Sequence, residues 1–160
     1  MTDTTFDHVS LVPFHEWHGK EALLKNIDSI LDAVIRKAEK EWAVTLTREV
    51  AIATLEKMGR EEKPFGLYAS VLNDSHLLIW SFAAPWYAGD QRWITEQFFL
   101  RIGKGATKDA FTAIDLLARN IGATGVVMAT SLARNDAALG RLLAGQGYQP
   151  MSSQHFKSYT

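Results

Sequence analysis

Gly103-Lys104-Gly105-Ala106, followed by Thr107, is the stretch in which residue type and spacing point most directly to chemistry. Two glycines one residue apart, between an apolar strand and a helix start, expose consecutive backbone N–H groups that can hold an anion. Four such groups across residues 103–107 would suit a pyrophosphate, and Arg101, Lys104 and Lys108 are close enough in sequence to add positive charge. The P-loop spacing G-x-x-x-x-G-K-[ST] is absent. The competing reading is a plain connector that uses glycine because its backbone needs φ > 0.

Glu96 stands just upstream on the same strand, among Trp93, Phe98 and Phe99. Desolvation there would raise its pKa towards the range a general base needs. Strand alternation alone does not decide which face Glu96 takes, so a solvent-facing or structurally paired glutamate is the alternative. His76 is the reserve base. His8, His15 and His18 lack the helical i,i+4 spacing of a metal site, and no metal is expected. Trp80, Trp86, Tyr87 and Trp93 crowd the middle of the chain. Core packing explains most such aromatics, and a loop over 85–92 walling a groove for a flat ligand is the functional alternative.

The elements that must position these residues follow from periodicity. A first strand is expected over 6–14. A long helix follows from about His18 to Glu41, with Leu23, Leu24, Ile27, Ile30, Leu31, Val34, Ile35 and Ala38 on one face. Ala43 to Arg60 reads as a second helix with Thr47 as its N-cap, closed by Gly59 and Pro64. Phe65 to Leu72 and His76 to Ala84 form a hairpin across Asn73-Asp74-Ser75, and Ile94 to Ile102 is the next strand of a meander. A helix over Lys108 to Asn120 and a strand over Val126 to Thr130 complete a βαβ unit, so those strands should be parallel. A last helix spans about Asn135 to Ala144, and Tyr148 to Tyr159 alternates enough for one or two terminal strands. The result is an α/β chain with one mixed sheet flanked by helices, whose ligand belongs beyond the carboxyl ends of its strands.

Bulk composition restricts the function. With 160 residues, 47% of them hydrophobic and 22% charged, the chain suits one globular domain. A formal charge of −1 argues against a generally basic nucleic-acid surface. The absence of cysteine excludes disulfides, thiolate metal sites and a cysteine nucleophile. The N-terminus is polar and acidic, unlike a signal peptide, and no apolar run approaches the ~20 residues that span a bilayer. A soluble, cytoplasmic single-domain protein without a membrane partner is expected.

The order β-α-α-β-β-β-α-β-α-β resembles the GNAT superfamily of acyl-CoA-dependent N-acyltransferases. Its pyrophosphate turn, [RQ]-x-x-G-x-[GA] after the fourth strand, is matched by Gly103 and Gly105, with Leu100 at the first position and Arg101 one place late. The second signature, after the fifth strand, is matched by Ser131-Leu132-Ala133-Arg134-Asn135, then Ala138 and the helix exit Gly147-Tyr148. The resemblance covers roughly Phe65 to Tyr159, and the two N-terminal helices agree in kind.

It implies acetyl-CoA as co-substrate, an amine acceptor (small molecule, protein or nucleobase), and direct attack of the amine on the thioester. Phe98, Phe99 and Leu100 would pair with the pantetheine arm and offer an N–H to the carbonyl. Residues Gly103, Lys104, Gly105, Ala106 and Thr107, with Arg101, would take the pyrophosphate, and Asn135 would hydrogen-bond CoA. Glu96 would be the general base, directly or through water. Where many members carry a tyrosine that protonates the leaving thiolate, this chain has Leu143, which cannot donate a proton. That leaves the task to solvent, to Tyr148 or to Tyr159. It also leaves open a GNAT-fold binding or virion-assembly protein without catalysis, and a nucleobase modifier of the kind found among phage relatives. Pairing with a second copy of the chain is open as well.

Overall fold

The computed structural model describes residues 9–42, 47–84, 89–129 and 136–151. Its elements run β1 Leu11–Pro13, α1 Lys20–Trp42, α2 Arg48–Gly59, β2 Leu67–Leu72, β3 His76–Ala83, β4 Trp93–Arg101, α3 Thr107–Asn120, β5 Gly125–Val127 and α4 Asp136–Gly145. The strands lie in the order β1-β2-β3-β4-β5 in one sheet. The first four are antiparallel neighbours, and β5 pairs parallel to β4, as the βαβ unit requires.

The expected strand over 6–14 is limited to Leu11–Pro13, with residues 1–8 outside the described ones. The second helix starts at Arg48 rather than Ala43, and residues 43–46 are outside the described set. Thr47 occupies its N-cap, but the hydroxyl bonds no helix N–H. Residues 148–151 form no strand, and the remainder of the expected terminal strands, Tyr159 included, lies outside the described residues.

Each face of the sheet carries one helical layer. Leu23, Ile27 and Leu31 of α1 and Leu55 and Met58 of α2 pack with Val71, Leu77 and Ile79 of the sheet, joined by Phe98 and Leu100. On the other face Ala110, Phe111, Ala113, Ile114 and Leu117 of α3 and Leu143 of α4 cover Leu72, Leu78, Trp80 and Ile94, with Phe99 against them. Burying each large side chain contributes roughly 1.5–3 kcal/mol, so both layers are held to the sheet chiefly by apolar area.

One irregularity decides what β4 presents. Ile79 pairs with Phe98 but Trp80 pairs with Glu96, leaving Gln97 as the extra residue of a bulge. Strict alternation would put residues 94, 96, 98 and 100 on one face. The bulge instead leaves Ile94 and Glu96 on the α3/α4 face and turns Phe98 and Leu100 towards α1 and α2.

Candidate functional site

The hairpin turn between β2 and β3 is the platform on which the glycine turn rests. Asn73 and Asp74 both adopt left-handed φ, 51° and 52°, a conformation that short polar side chains tolerate and that fits the twist of a tight hairpin. Asn73 exchanges bonds with Ser10, its N–H reaching Ser10 O at 2.8 Å and its Oδ1 accepting from Ser10 N at 2.7 Å. Its Nδ2 donates to Asp109 O of α3 at 3.0 Å. Asp74 accepts a 2.7 Å bond from the Trp17 indole N–H. Ser75 O accepts the N–H groups of Ile102 and Gly103 at 2.8 and 3.1 Å.

The two glycines are explained by this contact. A Cβ on Gly103 would lie 2.5 Å from Asp74 O, and one on Gly105 would lie 2.5 Å from Ser75 Cβ. Neither has the positive φ that the connector reading assumes; among the described glycines that conformation falls to Gly66, Gly89, Gly122 and Gly147. The glycines permit close approach of two turns.

The approach consumes some donors and leaves others. The Gly103 N–H is taken by Ser75 O, so it is not among the open donors of the turn. Among the described residues, the N–H groups of Lys104, Gly105, Ala106, Thr107 and Lys108 meet no acceptor. They run into the first turn of α3, whose dipole favours negative charge. Arg101 folds back on the turn. Its Nε donates to Gly103 O at 3.2 Å and its Nη2 to Gly105 O at 2.8 Å, which holds the carbonyls. Lys104 and Lys108 are exposed beside the free N–H groups.

Below the turn lies His76, 1% exposed and stacked on Phe99 with ring centroids 5.0 Å apart. Its Nδ1 is 2.8 Å from Ser75 Oγ and its Nε2 3.3 Å from Thr107 Oγ1. Burial, and secondarily the Arg101 charge, push its pKa down to about 4, so the ring is neutral near pH 7. That position suits a structural link better than a base open to substrate.

Glu96 sits in the gap where β4 and β5 part. Their parallel pairing covers only Trp93–Thr95 against Gly125–Val127. Beyond it, Phe98 to Leu100 have β3 on one side and no strand on the other among the described residues. The Glu96 carboxylate accepts a 2.9 Å bond from Ala129 N–H across this gap. Its cross-strand neighbour is Trp80, on which Tyr68 stacks at 4.6 Å, whereas Phe98 packs in the layer of α1 and α2. Burial raises the Glu96 pKa, and the Ala129 bond offsets part of that rise.

Tyr148 lies on the same face, its ring 5.9 Å from Phe111 and its buried hydroxyl without a hydrogen-bond partner among the described residues. Burial and the nearby Asp115 charge push its pKa up to about 12. Leu143 is buried in the core against α3. A cleft of about 1210 Å³, with Trp93, Thr95, Asp115, Ala129 and Tyr148 in its walls, opens beside β5 and does not extend to the glycine turn. Asn135, Trp86, Tyr87 and His8 lie outside the described residues. His15 stands 3.5 Å from Glu16 and 3.9 Å from Glu61, and His18 lies against Trp17. Sequence reasoning missed Asn73, Asp74 and Ser75 as parts of the site. The available signal was the glycine pair itself, since two absent side chains can mark another backbone's approach.

No family model and no curated protein sequence matches the chain. Solved structures share its fold. A possible acetyltransferase from Clostridium difficile 630 aligns with a TM-score of 0.53 at 10% identity, covering 95% of this chain and 97% of that one. A probable acetyltransferase aligns at 0.55 with 12% identity and 95% coverage of both chains. An acetyltransferase from Trypanosoma brucei aligns at 0.51 with 13% identity, over 94% of this chain and 99% of that one. The fold is GNAT-like, as the resemblance implied, and the mixed sheet between two helical layers agrees. No helix among the described residues is long and apolar enough to cross a membrane.

Proposed function

We propose that the chain is an acyl-CoA-dependent N-acyltransferase, with acetyl-CoA as the donor and a primary amine as the acceptor. The carrying observation is the pair of features at the two ends of one strand segment. Among the described residues, the β4 backbone is unpaired beyond Thr95 on the β5 side, and the N–H groups of residues 104–108 that meet no acceptor follow its end. A thioester arm laid along Phe98–Leu100 would place its pyrophosphate at those N–H groups. Lys104, Lys108 and the α3 dipole add charge complementarity there. Arg101 and Gly103 act by shaping the turn, and Asn135 remains a candidate contact from the resemblance.

In the reaction the amine nitrogen attacks the thioester carbonyl, the C–S bond breaks, and CoA leaves as a thiolate that takes up a proton. Glu96 accepts the proton lost by the ammonium, directly or through water. Its raised pKa suits that task, because a carboxylate with a higher pKa is a stronger base. Tyr148 is the candidate for returning a proton to the thiolate. Its hydroxyl stays protonated at neutral pH. Asp115, its neighbour, is about 12 Å along α3 from Thr107. Glu96 is about 16 Å down β4 from Arg101.

Calorimetric titration with acetyl-CoA tests the reading. Saturable binding in the micromolar range is expected, and no heat at high micromolar concentration would sink it. Release of CoA thiol with a panel of aliphatic and aromatic primary amines then separates an enzyme from a binding protein. Tight binding with no release from any amine would favour the non-catalytic reading that Leu143 raises.

A further inference from the structure

Ser75, His76 and Thr107 form an unbroken polar chain from the interior of the hairpin turn to the first residue of α3. Ser75 Oγ is 3.1 Å from Leu72 O and 2.8 Å from His76 Nδ1, and His76 Nε2 is 3.3 Å from Thr107 Oγ1. Phe99 stacks on the imidazole at 5.0 Å and 10°, which keeps both ring nitrogens aimed along the chain. Hydroxyls and a neutral imidazole both donate and accept, so such a chain has two complete proton orders.

In one order Thr107 donates to His76 Nε2, His76 Nδ1–H donates to Ser75 Oγ, and Ser75 donates to Leu72 O. In the other, Ser75 donates to His76 Nδ1, His76 Nε2–H donates to Thr107 Oγ1, and the Thr107 hydroxyl proton points out of the protein. One ring proton moves from Nδ1 to Nε2, two hydroxyls rotate, and the charge is unchanged. Leu72 O keeps a partner in both orders, because it also accepts Ser75 N–H at 3.0 Å. Without a ligand the inward order retains one more bond inside the protein. An anion at residues 104–108 reverses the preference, since a bond from Thr107 to a charged oxygen is roughly twice as strong as a neutral one.

We propose that this chain is a proton-order switch in which His76 acts as a positioning residue, presenting the Thr107 hydroxyl to a phosphate oxygen by exchanging its tautomer. The switch rests on the reading of residues 104–108 as the pyrophosphate site of an acyl-CoA. It adds a side-chain donor to the row of backbone ones and ties ligand occupancy to the β2–β3 turn.

The test is nitrogen-15 NMR of the imidazole in the full chain near pH 7.5, with backbone assignment of His76, before and after saturation with acetyl-CoA. The unprotonated nitrogen should be Nε2 in the free protein and Nδ1 in the complex. Thr107→Val should leave the ring in its free-state tautomer and weaken binding by roughly ten- to a hundredfold, the effect of one bond to a charged group. Thr107→Ser should restore both the affinity and the exchange. If acetyl-CoA shifts the amides of Lys104 to Lys108 while the tautomer stays fixed, the switch is wrong and the site stands. If those amides and the calorimeter both fail to respond, the pyrophosphate reading falls and takes the switch with it.

Discussion

Glu96 works against the stability of the protein in the pH range where it would work for catalysis. Its carboxyl pKa is raised on folding, chiefly by burial, so the folded state holds its proton at pH values where the unfolded state has released it. Stability therefore declines as pH rises through the interval above the ordinary carboxylate pKa. Glu96→Gln keeps an acceptor for Ala129 N–H and has no charge to bury. Its Tm should exceed that of the wild type at pH 8, and the difference should shrink as the pH is lowered. A Tm below wild type at pH 8 would mean the carboxylate is favourably paired when charged. In turnover, the same variant should lose the acidic limb of the pH–rate profile, and an unaltered limb removes Glu96 from proton transfer. His76 has the opposite sign. With its pKa pushed down to about 4, the unfolded chain takes up a proton from about pH 6.5 downward and the folded chain only near 4. Stability should fall as pH drops across that window, more steeply in the wild type than in His76→Gln, as thermal melts at several pH values would show.

At the scale of elements, two close fits govern the site. Gly103 and Gly105 leave no room for a methyl group against Asp74 and Ser75. Alanine at either position should cost about 1–3 kcal/mol through overpacking, visible as a lower denaturant midpoint with unchanged slope. Gln97 is the other fit. Deleting it would join Glu96 to Phe98 in regular alternation, and each side chain of β4 would keep its present face. The deletion should fold, with helical and sheet signals like the wild type's. It would lose the local bend that a bulge imposes and, with it, acetyl-CoA affinity; retained affinity would show that the bulge does not open the gap. These two fits also mark the limit of what the chain disclosed before its structure. Strand, glycine turn and helix N-terminus were legible because the residues that make them are neighbours in sequence. The antiparallel hairpin and parallel βαβ strands were legible because short and crossover connections leave little choice. The face taken by Glu96 was not, because one unpaired residue shifts the alternation. The role of Asn73-Asp74-Ser75 was not either, because that turn meets the glycines through a contact between distant parts of the chain.

Across the whole molecule, the sheet separates a layer of α1 and α2 from the layer that carries the site. Phe111 is the central anchor of the second layer, fully buried with Phe99 and Tyr148 as ring neighbours at 5.8 and 5.9 Å. Phe111→Ala should cost about 3–5 kcal/mol, seen as a Tm lower by roughly 10 °C for a domain of this size, and should weaken acetyl-CoA binding by loosening α3. Val71→Ala, on the α1/α2 side, should cost stability while leaving affinity near the wild-type value. Equal losses of affinity in both would show that the layers are not independent supports.

The bonds from Ile102 and Gly103 to Ser75 O also divide the glycine turn into two classes of hydrogen-exchange clock. Those two amides can exchange only when the hairpin lets go, so they should share the slow rate of β3, whatever happens at α3. The next five amides have no acceptor to leave among the described residues and should exchange as though the chain there were unfolded, even though their backbone is held in place. An anion that settles on them would move them from the fast class to the slow one without altering Ile102 or Gly103. The turn thus carries a reference and a reporter on adjacent peptide groups.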